Sequence, residues 1–233
     1  MGITVAFTIL MTWSAVLITA LTQVQLNTWP EAISYLWLIL LIQFLYMGLF
    51  ITVHDACHGS VAPDQPRINL WVGRIFSVLY AGFSFDRLKL KHHQHHQFSG
   101  TFQDPDFHPE NQPSFFPWLI NFFKQYVSLW QILLMSLFAQ ILFHVFHLPE
   151  INVFTFWVLP SVLSSLQLFY FGTYLPHKKN QNQDFQDHHR TRNKSLPKAW
   201  SFLSCYHFGA FHHNHHRSPG TPWYQLPGRI KTL

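Results

Sequence analysis

The side chains most able to do chemistry in this sequence are histidines. There are 17 of them in 233 residues, more than the 15 lysines and arginines together. Their spacing is selective. His54 and His58 are four residues apart in HDACHG. His92, His95 and His96 follow an i, i+3, i+4 pattern in KHHQHHQ, and His212, His215 and His216 repeat it in FHHNHHR. Residues three and four apart share one face of a helix, so each box lines its imidazoles along a stripe. With the isolated His177 of YLPH, the candidate ligands number nine. One ion cannot use nine imidazoles, whereas two ions can. Imidazole nitrogen suits iron, zinc, copper or nickel.

Other residues near the boxes are read more modestly. A metal-bound histidine usually gives its second ring N–H to a carboxylate or a carbonyl. Asp55 beside His54, and Asp104 and Asp106 of DPDF, are placed to accept it. An Asp-Pro step also builds turns, and the two roles are compatible. His207 is left open, either as an orienting partner or as a ligand in place of His177. His93 and His213 fall outside the stripes. His108, His188 and His189 read as loop residues, and His144 and His147 as residues of the opposite membrane face. Cys57 reads as a small packing residue.

The elements that must carry these boxes are set by composition. Charged residues make up 11% of the chain, against roughly 25% in an ordinary soluble domain. Aromatics reach 18%, with 24 Phe and 9 Trp. Low charge and long apolar runs exclude a disordered chain. Two cysteines exclude a disulfide scaffold and a four-cysteine zinc module. Four uncharged runs are long enough to cross a bilayer: 3–22, 32–53, 125–147 and 151–175. Pro160 predicts a kink in the last. Residues 68–83 read as an interfacial or re-entrant piece, and 114–123 as an aromatic interfacial helix leading into the third span. The expected fold is an all-α integral membrane protein: four transmembrane helices, interfacial helices and a histidine-rich cap, forming one domain over 1–233.

Charge distribution orients the bundle. All 15 basic residues lie in 67–124 or 178–231, while 23–31 and 148–150 carry only Glu31 and Glu150. Under the positive-inside rule, segments 54–124 and 176–233 are cytoplasmic, as are both termini. The net charge of +5 therefore reflects topology and not a nucleic-acid partner. All the boxes then fall on one side of the membrane. The polar stretch 178–198 reads as mobile.

These motifs resemble the membrane-bound fatty-acid desaturase and hydroxylase superfamily. Within it, HDACHG, GTFQDPDF, FYFGTYLPH, SFLSCYHF and HHRSPGTPW resemble the bacterial and cyanobacterial β-carotene ketolases, over about residues 35–228. The resemblance implies a non-haem di-iron oxygenase that installs a ketone at C4 of a β-ionone ring, using O₂ and external electrons. It places His54, His58, His92, His95, His96, His177, His212, His215 and His216 around the metals. The substrates it implies are β-carotene and related carotenoids, with hydroxylated rings accepted by some relatives.

The reaction expected is two hydroxylations at one carbon, followed by loss of water. No GxGxxG, P-loop, CxxC or CxxCH motif is present in the sequence. A ferredoxin-type protein is therefore the expected electron donor, docked on the basic residues of 178–198 and Arg217. The alternatives are a carotenoid hydroxylase, a fatty-acyl desaturase, or a histidine-rich metal transporter. A transporter should carry ionisable residues at mid-span, and these spans are clean there.

Overall fold

The computed structural model describes residues 1–179 and 184–228. Its elements are helices: α1 (Gly2–Gln23), a short α2 (Glu31–Ser34), α3 (Leu36–Cys57), α4 (Pro66–Ala81), α5 (Phe85–Phe98), α6 (Phe115–Tyr126), α7 (Leu129–His144), α8 (Glu150–His177), α9 (Lys198–Cys205) and α10 (His212–Arg217). A 3₁₀ turn follows at Trp223–Gly228. In lipid the backbone must satisfy its own hydrogen bonds, which is why uncharged runs of this length fold as helices. α1, α3 and α8 are each long and apolar enough to cross a membrane unaided.

α3 is the central helix. Apolar residues surround it, and Ile42, Tyr46, Met47 and Leu49 are fully buried. α1 runs antiparallel to it. Trp13 meets Tyr46 edge-on with ring centroids 5.3 Å apart, and Gly48 lets Ile9 and the Tyr206 hydroxyl approach the α3 backbone. At one end, Asn152 of α8 donates to the carbonyls of Leu21 (3.3 Å) and Val24 (2.7 Å), satisfying acceptors that α1 leaves open at its C-terminus. At the other end, Gly2 packs against the Val61 carbonyl. The start of α1 and the ends of α3 and α8 therefore share one end of the bundle.

The predicted third span, 125–147, is shorter than expected, α7 running from Leu129 to His144, and the expected interfacial helix 114–123 is α6. The chain leaves the helix between Tyr126 and Leu129, and α6 and α7 meet at 79°. The Gln125 carbonyl at the end of α6 accepts hydrogen bonds from Arg87 (3.2 Å) and Lys91, and the Ser128 side chain caps the new start at Gln131 N–H (3.2 Å). Those contacts replace the next intrahelical bonds. Residues 68–83, expected to be an interfacial or re-entrant piece, form the first arm of a sharply bent helix pair, α4 and α5, the shape a re-entrant segment takes. α4 lies along α3, with Tyr80 against Tyr46 and Phe50, and then turns 99° into α5 at Gly82, whose φ of +68° suits glycine. The helix does not break at Pro160. α8 is continuous, with π-helical turns at Phe154–Val158 and Phe169–Tyr174 just before Pro160 and Pro176. The wider turn accommodates a ring that has no N–H to offer.

Candidate metal centre

Each histidine box is placed by a helix end. His54 lies in the last turn of α3 and His58 caps it. α5 carries His92, His95 and His96 across this end, and the His93 ring nitrogen lies 3.1 Å from the Cys57 carbonyl, joining α5 to the terminus of α3. His177 ends α8. α10 carries His212, His215 and His216, and the Asn193 side chain caps its start by accepting from the N–H groups of His213 (3.0 Å) and Asn214 (3.3 Å). Asn193 belongs to the stretch expected to be mobile. The described residues of that stretch are 178–179 and 184–198, and there the Arg192 N–H donates to the Pro176 carbonyl and the Lys194 N–H to that of Ala210. Residues 180–183 of that stretch lie outside the described residues.

All nine candidate histidines converge, in two groups. His54, His58, His92, His96 and His215 form one, and His95, His177, His212 and His216 the other. Within the first, Nε2 atoms face one another at 2.7 Å (His58–His92), 3.2 Å (His92–His96) and 3.1 Å (His96–His215). In the second the separations are 3.2 Å (His95–His216), 2.9 Å (His177–His212) and 3.1 Å (His212–His216). Nitrogens bound at about 2.1 Å to one ion sit roughly 3 Å apart when adjacent, so both groups fit a metal ion. Among the described residues, the buried Nδ1 atoms of His212, His215 and His216 have no hydrogen-bond partner. Burial, reinforced by the neighbouring imidazoles, holds these three well below the ordinary histidine range, in the neutral form that a metal requires.

The carboxylates act unequally. His95 Nδ1 is 2.9 Å from Asp104 Oδ1 and 3.7 Å from Asp106 Oδ2. Burial pulls the His95 ring down, but the two carboxylates outweigh it and hold it at about 9. Asp104 also accepts the N–H groups of Gly100 and Asp106, both at 2.8 Å, so it builds the turn and orients the His95 ring together. Asp106 accepts from the Tyr126 hydroxyl. Asp55 lies 3.5 Å from His54 Nδ1 and accepts the Trp223 N–H at 3.2 Å. His207 belongs to neither group. Its Nδ1 is 2.9 Å from the Ser201 hydroxyl, and its ring stacks on Trp223. His108 packs on Trp118, and His144 pairs with Gln140 (2.9 Å) on α7.

Sequence reasoning did not find the cavity beside these groups. It measures about 110 Å³ and touches both, through His54 and His92 on one side and His95 and His212 on the other. Its remaining wall is mainly apolar, with Phe50, Phe83, Phe122, Leu168 and Phe208 among the lining residues, together with the hydroxyl-bearing Tyr80, Ser165 and Thr173. A smaller cavity shares Phe83, Leu88 and Tyr126 with it and lies at the two helix bends, against Gly82 and Ser128.

The fatty acid desaturase family model matches residues 27–136 and 116–228. The chain is 37% identical to a β-carotene ketolase of Haematococcus lacustris, over 97% of this chain and 78% of that protein. It is 40% identical to a β-carotene ketolase of a Paracoccus species, over 79% and 74% respectively. Identity to a zeaxanthin 4-ketolase of Chlamydomonas reinhardtii is 35%, over 97% of this chain and 52% of that protein. A helical membrane protein whose family match runs across the boxes from His54 to His216, and whose relatives are ketolases over most of its length, belongs to the fatty acid desaturase family.

Proposed function

We propose that this membrane oxidoreductase is a carotenoid 4-ketolase that converts the C4 methylene of a β-ionone ring to a ketone. The observation that carries the reading is the apolar cavity touching both histidine groups, in a chain 37% identical to a β-carotene ketolase over 97% of its length. A histidine-rich metal transporter would need a polar path along the spans, and the ketolase relatives favour the enzyme.

The two groups would hold two metal ions, five histidines on one and four on the other, and iron is the ion that suits the reaction. Such a pair, when bound, supplies the O₂ activation and electron transfer that breaking a ring C–H bond requires. The protein supplies position. Asp104 fixes His95 in the tautomer that turns Nε2 inward. Phe50, Phe83, Phe122 and Phe208 exclude water and hold the ring by apolar contact. Tyr80, Ser165 and Thr173 offer the hydroxyl partners that a ring alcohol needs if it is to stay for a second oxidation. Retention of the alcohol separates a ketolase from a hydroxylase. Two hydroxylations at C4 give a geminal diol, which loses water to leave the ketone.

The ring would enter from the lipid beside the bends at Gly82 and Ser128, where the smaller cavity meets the larger. The histidine end would face the cytoplasm, with both termini, on the positive-inside rule. Electrons would come from a ferredoxin-type protein docked on the cap. Expression in a bacterial host that accumulates β-carotene, followed by mass spectrometry of the pigments, tests the reading. Replacement of ring CH₂ by C=O is expected. Ring alcohols alone, with a donor supplied, would make the protein a hydroxylase.

A further inference from the structure

Three more donor groups lie outside the two buried groups. Asp187, His188 and His189 each offer one ligand atom, and these atoms lie within 4.8 Å of one another. The loop is built to hold them. Asp187 Oδ1 accepts the His189 N–H at 3.0 Å, and its other oxygen lies 3.5 Å from Nε2 of the buried His213. His213 is held from behind by Thr191, 2.9 Å from its Nδ1. His189 Nδ1 is buried and, among the described residues, has no hydrogen-bond partner. That nitrogen is a donor or acceptor left open beside a carboxylate and a second imidazole.

The position of this trio matters as much as its composition. The His188 and His189 rings are 4.1 Å apart, and the His189 ring lies 5.9 Å from that of His216, a member of the four-histidine group. His188 is exposed and His216 is 3% exposed. His189 therefore stands between solvent and a group that an ion must reach through protein. One carboxylate and two imidazoles suit a first-row divalent ion, and water in the remaining positions keeps its binding exchangeable.

We propose that Asp187, His188 and His189 form a third metal site, open to solvent, which takes a first-row divalent ion and passes it to the four-histidine group by way of His189 and His216. The transfer exchanges water and the outer ligands for buried imidazoles and changes no oxidation state. Delivery rests on the two-metal reading of the buried groups; binding at the outer trio does not.

The test uses the full chain in detergent, stripped by a chelator and titrated with Co²⁺, whose absorption separates sites by ligand set. The wild type is expected to bind two ions tightly and one weakly. His188→Ala removes an exposed side chain, and Asp187→Asn keeps the loop's shape while removing its charge. Either change is expected to abolish the weak site and slow filling of the tight sites by about tenfold or more at limiting metal. The final content of two tight ions at excess metal should not change. Variants that bind the same number of ions at the same rate would overturn the proposal. A wild type with no tight sites would overturn the two-metal reading instead, and the weak Co²⁺ signal, lost or kept in His188→Ala, would still decide the outer site.

Discussion

His95 Nδ1 lies 2.9 Å from Asp104 Oδ1, and across the same ring Nε2 lies 3.2 Å from His216 Nε2. One imidazole thus joins a turn in the loop after α5 to a group formed by α8 and α10. The carboxylate decides which nitrogen faces the group, because it takes the Nδ1–H. Asp104→Asn keeps the side-chain size and removes that acceptor. It should lower metal affinity and ketone formation by roughly 10- to 100-fold, read by metal analysis and pigment extraction. Asp106→Asn, 3.7 Å from the same nitrogen, should cost less.

His54→Ala, His95→Ala and His215→Ala each remove a nitrogen from one of the two groups. All three should abolish ketone formation while the protein stays in the membrane fraction, measured by blotting and mass spectrometry side by side. Near-normal turnover in any two would show that the ligand set is wrong.

The metal-free protein should respond to acid and base in opposite ways. His212, His215 and His216 are held neutral by burial, below the unfolded value near 6.5. The unfolded chain then binds more protons as the pH drops, so their contribution is full above about 6.5 and is lost below it. His95 has the opposite sign. Raised to about 9, it contributes fully below the unfolded value and loses that contribution as the pH rises through 9. Thermal unfolding of the chelated protein from pH 5 to 10 should therefore show a maximum between these limits. Adding metal should flatten the alkaline side, because the bound ion replaces the His95 proton.

Filling the cavity should separate substrate access from metal binding. Ser165 lines the ring cavity without belonging to either histidine group. Ser165→Phe should remove most ketone formation and leave the metal content unchanged. Equal losses of both would mean that the substitution disturbs the bundle.

Gly73 permits the sharp bend between α4 and α5. A Cβ there would lie 2.2 to 2.5 Å from ring atoms of Phe85, the first residue of α5. Gly73→Ala should destabilise the protein by about 1–3 kcal/mol, the usual cost of overpacking, and lower the yield of folded membrane protein. Gly73→Ala combined with Phe85→Leu should recover part of that yield.

The sequence by itself determined which imidazoles share a stripe, and most of the helices. Spacings of three and four residues put the imidazoles of each helical box on one stripe, and uncharged runs of 20 residues or more are stable in lipid as helices. The Asp104 role was also legible, since Asp-Pro turns and histidine-orienting carboxylates share one residue type. Three matters needed the tertiary structure. Pairing of boxes was one: His95 and His96 are neighbours in α5 yet serve different groups, because consecutive helical residues point about 100° apart and only the positions of α3, α8 and α10 say what each one meets. The angle between α6 and α7 was another, since Arg87 and Lys91 reach the Gln125 carbonyl from a distant helix. The cavity was the third. Its walls come from α3, α4, α5, α6, α8, α9 and α10, and no local pattern marks a phenylalanine that lines a space from one that fills it.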